Sequence, residues 1–146
     1  MLEKLMNEKL IQLNVEASDW EDAIRKSAHP LLAEGKISET YIEKIIASNR
    51  ENGPYFVLAK HVALPHASAI DGVIERAIGL TTLSTPVVSG QGANDPVKYL
   101  FCLSATDSSS HLEALASLTD LLGDEAFFQM LDRAKDPSEV MTYIKK

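Results

Sequence analysis

The chain of 146 residues contains one cysteine, Cys102, so no internal disulfide framework can staple it, and a reducing compartment suits it. Glycine (7) and proline (6) are sparse and aromatic residues make up 6%, which excludes collagen-like and low-complexity architectures. No linker-like segment or internal repeat interrupts it. Positive charge is also short: 14 Lys and Arg face 21 Asp and Glu, and a net charge of -7 repels nucleic acid and anionic membranes unless a basic patch exists. None is visible. No apolar run reaches membrane-spanning length, and charges break "MLEKLMNEKLIQLNV" where a signal peptide needs an apolar block. The expected compartment is the cytoplasm. The stretch "SGQG" lacks the Lys-Ser/Thr of a P-loop, so catalysis through a bound nucleotide is not expected.

What remains is 45% hydrophobic, enough to bury one sizeable core, and a single domain over residues 1–146 is expected. "LIQLNV" (Leu10 to Val15) alternates in polarity like a strand with one buried face. Ser18-Asp19-Trp20-Glu21 has capping-box spacing with Ser18 as the cap, and Trp20, Ala23, Ile24, Ala28 and Leu31 follow on one helical face. Pro30 is expected to bend or divide that helix. Ser38 is the expected N-cap of a second helix over Glu39 to Asn52, stopped by Gly53-Pro54.

Four apolar runs without helical period then read as strands: Tyr55 to Ala59, His61 to Leu64, Arg76 to Leu83 and Val97 to Ala105. Turns are expected at Asp71-Gly72 and across Ser89 to Gly92. From Ser110 the period changes, with Leu112, Leu115, Ala116 and Leu122 on one helical face and Ser110-x-x-Glu113 as a second capping box, which makes His111 the first helical residue. Asp136-Pro137-Ser138-Glu139 starts a short final helix. This order of elements implies a layered α/β or α+β domain.

Two histidines stand out. His66 closes "VALPHA", where Pro65 fixes its own φ and biases Leu64 to extended geometry, so the imidazole is presented at a strand end on stiffened backbone. That is a platform for a nucleophile; the plain alternative is a half-exposed loop histidine. His111, at an expected helix start, lies beside unpaired N–H groups that favour an anion; its plain alternative is a polar residue on a solvated helix end. Together they suit a phosphoryl group on one neutral imidazole, stabilised by the other. The polar run Thr106 to Ser110 could add donors, and Arg50 could offer a guanidinium fork or serve only as a helix-terminal cation. His61, His66 and His111 lack the spacing of a familiar metal motif, and Cys102 within "YLFCL" reads as a buried small apolar residue.

"NGPYFVLAKHVALPHA", Asn94-Asp95-Pro96-Val97 and "HLEALASLTDLL" together resemble the IIA component of the sugar phosphotransferase system (PTS), in its fructose-mannitol class and ascorbate-type branch. The resemblance runs from about Trp20 to Met130. It implies a three-layer α/β/α sandwich with a mixed central sheet. It also implies that His66 accepts phosphate from the carrier protein HPr and yields it to a cysteine of a IIB protein, in the service of a membrane IIC transporter. His111 would be the second histidine of the site. Arg50, sixteen residues before His66, matches an arginine of mannitol-type members that ascorbate-type relatives need not have. L-ascorbate is the implied cargo, and neither cofactor nor metal is implied; Lys60 and His61 receive no role. Two other readings compete: a regulatory IIA-like phosphoprotein not dedicated to transport, and a metal-dependent hydrolase built on three histidines.

Overall fold

The computed structural model describes residues 2–67 and 72–146. Asp71, half of one expected turn, lies outside the described residues. Helix α1 (Leu2–Leu5) and a 3-10 turn (Glu8–Leu10) lead into strand β1 (Ile11–Val15). Two helices follow, α2 (Trp20–Ala33) and α3 (Glu39–Asn52), then the short hairpin strands β2 (Val57–Ala59) and β3 (Val62–Ala63). The long strands β4 (Ala77–Val87) and β5 (Val97–Ser104) come next, and α4 (Ser108–Leu122), α5 (Glu125–Arg133) and α6 (Pro137–Ile144) complete the chain.

The strands form one mixed sheet in the order β1-β4-β5-β3-β2, with β1 parallel to β4, β3 parallel to β5, and β4 antiparallel to β5. Alternation along the central strands divides the core in two. Ala77, Leu83, Leu100 and Cys102 pack with Trp20, Ile24, Leu31, Tyr41, Ile45 and Ile46 of α2 and α3. Ile78, Leu80, Tyr99, Phe101 and Leu103 pack on the opposite face with Ala114, Leu118, Phe127, Leu131, Val140 and Met141 of α4 to α6. The result is the expected three-layer α/β/α sandwich.

Local sequence explains most boundaries, and three expectations need correction. The cap of α2 is Asp19 rather than Ser18: its carboxylate accepts from the Asp22 N–H at 2.8 Å, while Asp22 accepts from the Ser18 N–H at 2.9 Å. Each carboxylate thus takes one backbone N–H, and that of Asp19 covers an orphan donor of the first helical turn. Pro30 does not divide α2, which runs unbroken through it. Proline removes the N–H that would have bonded the Lys26 carbonyl, and the side-chain amide of Gln12, reaching across from β1, donates to that carbonyl instead. The helix survives because its orphan acceptor has a partner.

The third correction concerns α4, whose N-cap is Asp107, three residues earlier than expected. Its carboxylate accepts from the Ser110 N–H at 2.7 Å, and Ser110 Oγ accepts in return from the Asp107 N–H at 3.2 Å. Ser110 is therefore the N3 partner of the capping box, and His111 lies a full turn inside the helix with its own N–H on the Asp107 carbonyl. The helix over Glu39–Asn52 and the cap at Asp136 stand as expected, although Ser38 makes no side-chain capping bond. Helices α1 and α5 had no separate signal in the reading above.

Candidate functional site

Strands β3 and β5 run parallel and adjacent, with Val62 opposite Tyr99 and Ala63 opposite Leu100. Their carboxyl ends therefore open at the same edge of the sheet, the usual position of a ligand crevice in α/β folds. His66 follows the end of β3, and α4 springs from the end of β5. The Leu103 N–H donates to the Pro65 carbonyl at 3.0 Å, which continues the pairing one step beyond β3 and holds the histidine segment against β5. This topology brings His66 and His111 together from 45 positions apart, with ring centroids 4.9 Å apart and planes inclined at 46°. A cavity of about 350 Å³ opens there, lined by His66, Ala67, Ala105, Asp107, Ser108, His111 and Leu112.

Both imidazoles are half-buried. His66 Nδ1 lies 2.6 Å from the Leu64 carbonyl oxygen, which can only accept, so Nδ1 carries the hydrogen and donates. The other nitrogen, Nε2, keeps the lone pair. Burial pushes the His66 pKa below its ordinary value, the bond to Leu64 opposes that shift, and nearby His111 adds to it. The ring is thus neutral at pH 7, as attack by nitrogen requires. Aromatic edges hold it in place: Tyr55 meets the imidazole edge-on with centroids at 5.8 Å, and Phe56 lies at 6.1 Å.

The reason given from sequence for His111 does not hold in the structure. A histidine at the first helical residue would sit beside free N–H groups, but the Asp107 carboxylate takes the Ser110 N–H and the His111 N–H is already bonded. What the structure gives the ring is its closeness to His66 and its place in the wall of the same cavity. Asp107 itself is held below the usual carboxylate range, first by the Ser110 N–H and hydroxyl, with the Arg76 charge adding a smaller part.

The other candidates lie apart from the cavity. Arg50 makes a two-pronged pair with Glu21, Nε at 2.8 Å and Nη2 at 2.7 Å, and does not line the cavity. His61, at positive φ of 68°, has Nδ1 2.7 Å from the Pro96 carbonyl and serves to tie the β2–β3 turn to the loop before β5. His29 is exposed on α2. Among the described residues, no three His, Cys, Asp or Glu side chains gather as metal ligands. Cys102 is fully buried, and burial alone pushes its thiol up to about 12, which suits a packing residue and not a nucleophile. Asp107 and Ser108 of the polar run line the cavity, whereas Tyr41, Tyr55 and Leu112 carry no site signal in the sequence. The Asp-x-x-Ser spacing of Asp107 and Ser110 is the local signal that could have marked that run as the helix start.

Known proteins share this sequence and fold. Residues 4–146 match the family described as "Phosphoenolpyruvate-dependent sugar phosphotransferase system, EIIA 2". The mannitol-specific cryptic phosphotransferase enzyme IIA component of Escherichia coli (strain K12) is 38% identical over 130 residues, covering 89% of this chain and 88% of that protein. The ascorbate-specific PTS system EIIA component of Shigella boydii serotype 4 is 32% identical over 145 residues, 99% of this chain and 94% of that one. The solution structure of a mannitol-specific cryptic phosphotransferase enzyme IIA from Escherichia coli superposes with a TM-score of 0.85 at 36% identity, covering 98% of this chain and 97% of the other.

A histidine pair at the carboxyl edge of a mixed sheet, in a chain with these relatives, defines a phosphotransferase component that carries phosphate between partners. More narrowly, the chain belongs to the EIIA 2 family of the phosphoenolpyruvate-dependent sugar phosphotransferase system.

Proposed function

We propose that this protein is a cytoplasmic IIA phosphocarrier in which Nε2 of His66 accepts a phosphoryl group from phospho-HPr and passes it to a cysteine of a IIB protein. The observation that carries the reading is the Leu64 carbonyl 2.6 Å from His66 Nδ1, which fixes the ring hydrogen and leaves Nε2 as the nucleophile. In the first transfer, the Nε2 lone pair forms a bond to phosphorus while the phosphorus–nitrogen bond of the donor breaks, and its electron pair returns to the donor imidazole. In the second, a IIB thiolate attacks phosphorus and the electron pair of the broken bond returns to Nε2. Such transition states are loose, so the protein's main tasks are alignment and stabilisation of the equatorial oxygens.

His111 is the group nearest to hand for that stabilisation: its ring is 4.9 Å from that of His66 and both line the same cavity. Arg50 has a weaker claim, since a part in phosphate binding requires release from Glu21. The membrane IIC transporter is an indirect partner; no described helix of this chain is long and apolar enough to cross a membrane. L-ascorbate is the first candidate cargo, supported by the ascorbate-specific relatives that align over 99% of the chain. Mannitol is the second, because the relative at 38% identity carries that name.

The test is incubation with phosphoenolpyruvate, enzyme I and HPr, read by intact mass, followed by addition of ascorbate-type and mannitol-type IIB proteins. One phosphoryl group is expected on the wild type and none on a folded His66→Ala variant. The label should be acid-labile and stable to alkali, as a phosphoramidate is. Normal labelling of His66→Ala would defeat the assignment, and phosphate passing to neither IIB would leave a regulatory phosphoprotein.

A further inference from the structure

The backbone that carries His66 is held at almost every polar group. The Leu64 N–H donates to the Phe56 carbonyl at 2.9 Å, the Leu64 carbonyl takes the His66 ring, and the Pro65 carbonyl takes the Leu103 N–H. The remaining two restraints come from tyrosine hydroxyls. Tyr55 Oη donates to the His66 carbonyl at 2.9 Å and itself accepts from Ser48 Oγ of α3 at 3.1 Å. Tyr41 Oη, from the first turn of α3, donates to the Leu103 carbonyl at 2.7 Å and accepts from the Ala67 N–H at 3.2 Å.

We infer that Tyr41 and Tyr55 are positioning residues for phosphoryl transfer: their hydroxyls clamp the carbonyl and the N–H of the peptide group that joins His66 to Ala67 and thereby hold the imidazole in its Nδ1–H form with Nε2 free. The inference rests on the reading of His66 as the acceptor.

The physical logic is geometric. The bond from Nδ1 to the Leu64 carbonyl spans only two residues, so it forms solely when the backbone from Leu64 to His66 has one particular turn. A proline restrains that turn from one side, but the residue after His66 is an alanine, which offers no such lock. Anchoring the His66 carbonyl and the Ala67 N–H supplies it. Both anchors trace to α3, which carries Tyr41 and Ser48 two turns apart on one face. Tyr41 is 2% exposed and Tyr55 39%, so one hydroxyl works inside the core and the other at the surface. Tyr55 also lies edge-on to the imidazole, so its ring limits tilt while its hydroxyl limits translation.

Tyr55→Phe is the cleaner variant, because it removes one exposed hydroxyl and keeps the ring. Two phosphoryl donors separate alignment from docking: phospho-HPr, and phosphoramidate, a small donor with no protein surface, which loses ammonia as the Nε2–phosphorus bond forms. Loss of one neutral hydrogen bond that holds the reactive geometry is expected to slow labelling about three- to tenfold with both donors, with the unfolding midpoint within a few degrees of wild type. The nitrogen-15 spectrum of the His66 ring should show a reduced share of the Nδ1–H form, read with no donor present. Tyr41→Phe should move the same signals further if it folds. Rates equal to those of wild type with both donors would overturn the inference, as would slowing confined to phospho-HPr, which would make Tyr55 a docking contact. An unchanged His66 ring spectrum would overturn it as well. Because that spectrum needs no phosphoryl donor, it judges the clamp even if His66→Ala were still labelled and the acceptor reading failed.

Discussion

In the proposed function, two local influences prepare His66 for attack on phosphorus. Burial lowers its pKa, and a backbone carbonyl selects which nitrogen bears the hydrogen. The sign of the pH effect follows. A folded-state value below that of the unfolded chain keeps the ring neutral above the ordinary histidine pKa of about 6.5. The rate of phosphate acceptance, measured with phosphoramidate, should be flat above that pH and fall only below it. Stability should follow the same direction: this group's contribution is complete above the unfolded value and declines as pH drops from there through the depressed folded value, where the unfolded chain binds more protons. A rate limb centred above 6.5 would contradict the burial argument. His111 belongs to the same scale. If its ring donates to phosphate on His66, His111→Ala should still be labelled at His66 but roughly ten- to a hundredfold more slowly, the cost of a hydrogen bond to a charged group. Rates within about twofold of wild type would reduce His111 to a neighbour.

Among the elements, α2 gives the sharpest test because its proline and its neighbour in β1 solve a problem together. Gln12 Nε2 donates to the Lys26 carbonyl that Pro30 leaves without a helical partner, and also to Thr81 Oγ1 at 2.9 Å. Gln12→Ala should therefore cost about 1–3 kcal/mol, the penalty for a part-buried acceptor left unpaired. In a Pro30→Ala background the residue at position 30 regains an N–H for that carbonyl, and the same Gln12→Ala change should cost measurably less. Urea unfolding of the four proteins in this cycle gives the coupling directly. Additive effects would mean that Gln12 matters only through Thr81. The caps of α2 and α4 make a related point. Where serine and aspartate compete within one to three residues, local spacing allows several starts, and the partly and fully buried side chains that follow, Trp20 and Ser110 among them, belong to only one of these.

At the scale of the molecule, the layers approach so closely that glycine becomes necessary in mid-strand. Gly79 sits in β4 opposite Cys102, and a Cβ there would lie 2.5 Å from Leu31 Cδ1 and 3.3 Å from the Leu10 carbonyl. Gly79→Ala should push α2 from the sheet or force Leu31 from its rotamer, at about 1–3 kcal/mol by chemical denaturation. A variant as stable as wild type would show that Leu31 has room to swing.

Much of this was written in the sequence. Polarity alternation located β1, caps and helical period located α2 and α3, apolar runs located the two long strands, the Asp136-Pro137 start signal located α6, and the Pro65-His66 pair marked the strand end, because these depend on neighbours only a few residues away. The resemblance carried by three separate stretches named the family and the layered fold. What local sequence could not decide was everything that depends on contacts across the sheet. The pairing of β3 with β5 brings His66 to His111; Glu21, from a different helix, occupies Arg50; and Pro96, on another loop, occupies His61. The two tyrosine hydroxyls beside His66 are equally silent in the sequence, since a hydroxyl that bonds backbone leaves no pattern in either partner. Residue identity supplied an imidazole on stiffened chain with a carbonyl two residues away to take its hydrogen, and tertiary packing decided its neighbour, its burial and the anchors that hold that local turn, because burial and long-range bonds exist only once the chain has folded.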